Sequence, residues 1–277
     1  MRLAVEVGSV ADGTLAGALQ YCRERQFERV VIPFAALDGY REAGSLDLDT
    51  LRGKMSQIDD AGLSASTMVY WAPPEMWAGD AGGDEYYRDL VKSLDVMAAT
   101  GADVLAMYAS ALPPQDVALE ETAWQQMAAV YRRLVGEAEA RRIRIALHTV
   151  PVRSRNLLWN HAAVRRLFEE VPSSVNGVTL CVDSLWKSDG ERIYDIVREL
   201  GDRLLYLHPQ CTSEFLGDTP CWHGESRPDA ARLYEALRDI DYRGDIRCAD
   251  GKGDTGQTLA GPELCLAGVG RMPVPAY

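Results

Sequence analysis

The chain has 277 residues, 47% hydrophobic and 25% charged, enough apolar material to bury a large core in one big α/β domain or two small ones. A formal net charge of −12 argues against a surface that tracks nucleic acid, which needs clustered Lys and Arg, and points to a small metabolite as ligand. Six dispersed cysteines without CxxC spacing read as reduced thiols rather than a disulfide or zinc-ribbon framework.

The opening MRLAVEVGSVADG lacks the long uncharged core of a signal peptide. No stretch approaches the roughly 20 apolar residues of a membrane span, so a cytoplasmic protein is expected. Short apolar runs then alternate with longer amphipathic stretches, the pattern of repeated βα units. RLAVEV (2–7) precedes a helical stretch over 14–26, and ERVVIPF (28–34) one over 47–61. GLSASTMVY (62–70) precedes 84–100, DVLAMYA (103–109) precedes 119–142, and RIRIALH (142–148) precedes 160–171. VTLCVD (178–183) is followed by 191–200, RLLYLH (203–208) by 228–240, and DIRCAD (245–250) by a weaker 257–268 that Gly261, Pro262 and Gly268 interrupt.

Eight strands, each followed by a helix, predict an α/β fold: one (βα)8 barrel spanning 1–277 as a single domain. No GxGxxG or GxxxxGK[ST] follows any strand, which removes the main support for a nucleotide-binding fold. Long loops are expected after strands 3, 5 and 7, on the rim where such barrels place active sites. The first carries Trp71, Glu75 and Trp77, the second Arg153, Arg155, Asn156 and Trp159, and the third Gln210, Glu214, Trp222, His223 and Arg227. Arg153 and Arg155 suit a carboxylate or phosphate clamp, because a guanidinium fork matches that geometry. Trp71 and Gln210 complete the candidate substrate contacts. The ordinary alternative for any one of these is loop surface or a contact between identical subunits.

Four of the last apolar runs stop on a metal-ligand type: His148, then Cys181 or Asp183, then His208, then Asp250. A single strand-end histidine is more often packed or hydrogen-bonded than metallated, but matched placement on successive strands favours a shared ion. Cys181 and Asp183, two apart on an extended backbone, point the same way. A thiolate there favours zinc or iron, and a carboxylate favours manganese or magnesium. Lys252, Asp254 and His223 lie on loops from which an acid or base can reach the rim, whereas His161 opens a helix and reads as structural.

The segments ALH, TLCVDSL, YLHPQ and YRGDIRCADG, with the preceding DAARLYEALRDIDYRG, resemble the mannonate dehydratase family of xylose-isomerase-like barrels. LDLDTLRGKMSQIDDAGLSASTMVYW and YYRDLVKSLDVMAATGADVLAMY extend the likeness through the second to fourth βα units. The resemblance implies a divalent metal, manganese first with iron, zinc or cobalt as alternatives, held by His148, Cys181, His208 and Asp250. It thereby favours Cys181 over Asp183. Related isomerases and epimerases carry Glu where this chain has His148 and Asp250, so their carboxylate pair is missing. The family's Arg-Pro-Asp-His-Gly motif is replaced here by Arg247, Cys248, Ala249, Asp250 and Gly251, without its His. The activity implied is loss of water from a sugar acid such as mannonate, with acid and base sought among Asp250, Lys252, Asp183, His223 and Tyr108. A sugar isomerase or epimerase, and a metabolite-binding barrel without turnover, are the competing expectations. The partner is a sugar acid or sugar rather than nucleic acid or membrane, with a homo-oligomer left open.

Overall fold

The computed structural model describes residues 1–8, 10, 13–34, 48–77, 81–109, 111, 114, 116–149, 156–208 and 228–248. Eight parallel strands close into a barrel in sequence order: β1 (Arg2–Glu6), β2 (Arg29–Pro33), β3 (Thr67–Ala72), β4 (Val104–Ala109), β5 (Arg144–His148), β6 (Asn176–Cys181), β7 (Leu204–His208) and β8 (Asp245–Cys248). Pairing of β1 with β8, from Arg2 opposite Asp245 to Val5 opposite Cys248, completes the closure. The described helices are α1 (Leu15–Arg25), α2 (Leu48–Asp60), α3 (Ala81–Thr100), α4 (Glu120–Arg141), α5 (His161–Glu170), α6 (Val182–Asp189), α7 (Ile193–Leu200) and α8 (Ala230–Asp239).

Helix starts follow local chemistry. Thr14, Asn160 and Asp229 accept hydrogen bonds from the backbone N–H groups of Gly17, Ala163 and Ala231, satisfying donors that have no partner inside the first turn. Each cap contributes about 1 kcal/mol. Outward-facing strand residues such as Val5, Ile32, Leu105, Ile145 and Leu207 pack against Leu19, Leu51, Leu90, Leu134 and Leu237 of the helices. That shell between barrel and helices is the main core, and each fully buried aliphatic side chain in it contributes about 1.5–3 kcal/mol. The barrel interior is lined by smaller residues, among them Ala4, Val31, Val69, Ala106 and Ala146, together with Tyr108 and Tyr206.

A register slip positions the later strands. Val178 faces Leu204, but Thr179 faces Tyr206 and Cys181 faces His208. Without the extra residue in β7, Cys181 would sit opposite Leu207, which packs outward, and the thiol and imidazole would lose their common level. Gly177 makes room for the slip, because a Cβ there would collide with the Leu205 side chain.

Two sequence expectations are corrected. β6 ends at Cys181 and α6 starts at Val182, so Asp183 lies in a helical first turn instead of two places along the same strand face as Cys181. The segment after β3 is also more ordered than a long loop, since a turn of 3-10 helix at Pro74–Trp77 leads almost directly into α3. The expected helix over 257–268 lies outside the described residues.

Candidate metal centre

Register carries each candidate to the mouth of the barrel. Tyr108 pairs with Trp71 on one side and with His148 on the other, and Cys181 pairs with His208, so five side chains from β3 to β7 come to the C-terminal rim. Their rings form a column running inward from solvent. Trp71, 54% exposed, stacks on Tyr108 with centroids 3.9 Å apart; Tyr108 stacks on His148 at 4.1 Å; His148 meets His208 edge-on at 5.8 Å. Asn156 braces this wall from the segment after β5. Buried, it donates to the Ala109 carbonyl at 2.7 Å and accepts from the Leu158 N–H at 3.0 Å.

Ligand atoms of His148, Cys181 and His208 all lie within 4.8 Å of one another, and all three residues are buried. Ligands about 2.0–2.3 Å from one ion are at most about 4.6 Å apart, so an inward adjustment of a few tenths of an ångström closes the triad on a cation. Both ring nitrogens of His148 and Nδ1 of His208 are buried without a hydrogen-bond partner among the described residues. Unsatisfied buried nitrogens are costly, and coordination would satisfy them. The residues present therefore fit a metal.

The electrostatics agree. Burial, assisted by the nearby Arg247 guanidinium, lowers the His148 imidazole to about 3 and holds His208 well below the usual histidine range. Both rings are neutral at pH 7, the form that ligates. Burial pushes the Tyr108 phenol far above its usual range, against the pull of Arg247, so it keeps its proton.

A family model described as the xylose isomerase-like TIM barrel matches residues 20–257. The chain belongs to that family. Among curated relatives, it is 23% identical over 141 residues to mannonate dehydratase 1 of Halalkalibacterium halodurans, a match covering 48% of this chain and 39% of that protein. The chain thus aligns with about two fifths of that relative's length. Its fold superimposes on the mannonate dehydratase of Streptococcus suis with a TM-score of 0.71, at 15% identity, over 99% of this chain and 96% of that one. It also superimposes on the D-psicose 3-epimerase of Clostridium cellulolyticum H10 with a TM-score of 0.70, at 15% identity, over 89% and 84% of the two chains. At these identities the structural likeness is one of fold.

Within this xylose isomerase-like barrel, the structure brings together Trp71, Tyr108, His148, Cys181 and His208. Arg153, Arg155, Gln210, His223, Asp250 and Lys252 lie outside the described residues, as does the side chain of Asp183. His161 stands apart from the rim at the start of α5, buried, with Nδ1 4.0 Å from Glu199.

Two charged residues beside the candidate cluster escape the strand-end pattern. Arg247 of β8 and Glu6 of β1 form a largely buried ion pair, Nη2 to Oε1 at 2.9 Å, and Nη1 of Arg247 contacts Nε2 of His208. The available signal was a charge nearer the C-terminal end of each run and on the same face as its first, Glu6 beyond Arg2 in RLAVEV and Arg247 beyond Asp245 in DIRC.

Proposed function

We propose that the chain is a divalent-metal-dependent lyase that removes water from a sugar acid such as mannonate. The observation that carries this reading is the convergence of His148, Cys181 and His208 donor atoms within 4.8 Å at the barrel mouth. A nitrogen, sulfur and nitrogen set differs from the all-oxygen shells that suit magnesium or calcium. Likeness in sequence to a mannonate dehydratase supports the same reaction class.

His148, Cys181 and His208 would hold the metal, manganese before iron, zinc or cobalt, with Asp250 as the fourth ligand. When bound, that ion supplies Lewis acidity to substrate oxygens and so acidifies the proton next to the carboxylate. The chain's own residues do the rest. Tyr108, protonated and stacked between Trp71 and His148, donates from its phenolic oxygen to the departing hydroxyl. Asp183, His223, Asp250 and Lys252 are the candidates to accept the carbon-bound proton. The exposed face of Trp71 offers apolar area to the C–H face of a sugar chain, and Arg153, Arg155 and Gln210 are the polar contacts proposed for the substrate.

Metal-loaded protein supplied with a panel of sugar acids tests this, with formation of a 2-keto-3-deoxy acid as the readout. Turnover of mannonate or a related acid is the expected result. Interconversion of ketoses without loss of water, from protein that holds its metal, would move the assignment to epimerisation, the reaction named for one structural neighbour.

A further inference from the structure

We infer that Arg247 sets the affinity of the candidate metal centre, because its guanidinium and a divalent ion compete for the same lone pair of His208; this rests on the metal-centre reading above. Register brings the two side chains together. β7 and β8 pair Leu207 with Ile246, so His208 and Arg247, the next residues along each strand, stand level. On its other side β8 pairs Arg247 with Ala4 of β1, and Glu6, two residues further along the same face, reaches the guanidinium at 2.9 Å.

The chemistry of the contact is one-sided. Arginine carries only N–H donors, so where Nη1 of Arg247 meets Nε2 of His208 the imidazole must accept. A neutral imidazole has one N–H and one lone pair in the ring plane, which puts the lone pair on Nε2 and the proton on Nδ1. Ligation through Nε2 needs the lone pair that the guanidinium holds. Ligation through Nδ1 needs the proton moved to Nε2, where it would face another N–H. Either route breaks the contact between Arg247 and His208. The floor of the barrel gives the contrast, since Arg29 directs its donors to Asp245, Ser64 and Ser66, all through oxygen. Arg247 also carries charge of the wrong sign for a cation. It acts on both His148 and His208, and in the low-dielectric barrel that repulsion persists after the contact is released. Glu6 offsets part of it and keeps hold of the guanidinium through Nη2 while Nη1 is exchanged. Giving up one charge-assisted hydrogen bond costs the same whichever ion arrives. Arg247 therefore lowers the affinity for every divalent ion by a common factor, whereas the residue at 181 acts on the ratio between ions.

Competition against a chelator, on the full chain with zinc and manganese as probes, tests the assignment. Arg247→Met is expected to tighten binding of both ions by about tenfold or more, and by factors that agree within about threefold, as loss of one competing charge-assisted hydrogen bond implies. Combining Arg247→Met with Glu6→Gln returns the pair to its original net charge, so a gain that survives in the double variant belongs to the released lone pair and not to charge alone. The double variant also leaves no orphaned buried carboxylate, which keeps the readout in hand if the single variant fails to fold. In metal-stripped wild type, nitrogen NMR of isotope-labelled histidine, with His208→Gln assigning the signal, should find the His208 proton on Nδ1. Affinities unchanged or weakened in the folded variants, a gain confined to the single variant, or a wild-type His208 proton on Nε2 would each overturn the inference. Ion binding that Arg247 variants leave unmoved but His148→Ala abolishes would do so while upholding the metal centre. No binding of either ion by the wild type or by any variant would sink the metal-centre reading and this inference with it.

Discussion

An imidazole at the end of a buried strand is positioned by the backbone beneath it and by the rings beside it. His148 has both, since β5 fixes its Cα and the Tyr108 face limits rotation of its ring. The neutral ring is therefore held in the form and near the position that ligation needs. Replacing His148 or His208 by Ala removes one of three described donors, and divalent-metal affinity is expected to fall by at least about a hundredfold, since even loss of residues behind the ligands costs about 10–100-fold. Competition against a chromophoric chelator measures it, with circular dichroism confirming that the barrel persists. Unchanged affinity in both variants would show that the cluster is only a packed pair of histidines beside a buried thiol. On the proposed reading, the residue at 181 bears on which metal is chosen. Cys181→Asp exchanges a soft ligand for a hard one, so the ratio of zinc to manganese affinity should fall relative to wild type. A ratio unmoved by that exchange would remove Cys181 from the ligand set.

At the level of elements, the strands act as rails whose register decides what meets at each end. At the floor, Asp245 is fully buried between Arg29 and Arg2, with Thr67 and Ser66 donating to it. Asp245→Ala leaves the Arg29 side chain, 12% exposed, without its carboxylate, and a stability loss of about 3–5 kcal/mol is expected in urea unfolding. Adding Arg29→Met should recover much of it, because the cost lies in the orphaned charge rather than in the missing pair. A single variant as stable as wild type would show that water reaches the floor. This dependence on register also explains what the sequence reveals. The runs ending on His148 and His208 are legible because an apolar stretch and its last residue are local properties, and the barrel follows from counting eight such units. The slip between Val178 and Thr179 has no local mark except Gly177, yet it sets Cys181 level with His208. α6 is hidden because VDSLWKSD follows the strand without a break, so Asp183 reads as extended. Glu6 and Arg247 are paired by closure of the first strand on the last, a contact that no window of sequence contains.

For the whole molecule, the two buried histidines couple folding to pH and, on the proposed reading, to a bound divalent ion. Both have folded values below the ordinary 6.5, His148 at about 3, so between those values the unfolded chain holds protons that the folded chain refuses. Stability of metal-stripped protein must then rise with pH through that window; it is fully present above 6.5 and lost as pH falls toward 3. Taking the pH from 7 to 5 should cost about 2 kcal/mol for His148, and the lowered His208 acts in the same direction. Glu6 works in the opposite sense, because burial raises its carboxyl above 4.5 despite Arg247, but it is one group against two. Urea unfolding of stripped protein at pH 7 and 5 checks the sign, and His148→Gln should remove about 2 kcal/mol of the difference. A divalent ion at a hundred times its dissociation constant adds about 2.7 kcal/mol at pH 7 by linkage. That increment should shrink on acidification, because protons compete for the Cys181 thiolate and both imidazoles. Unfolding curves with and without manganese at the two pH values read this difference directly. An ion-dependent increment of the same size at pH 5 and pH 7 would mean that the ion binds through carboxylates elsewhere, and not through this histidine and cysteine cluster.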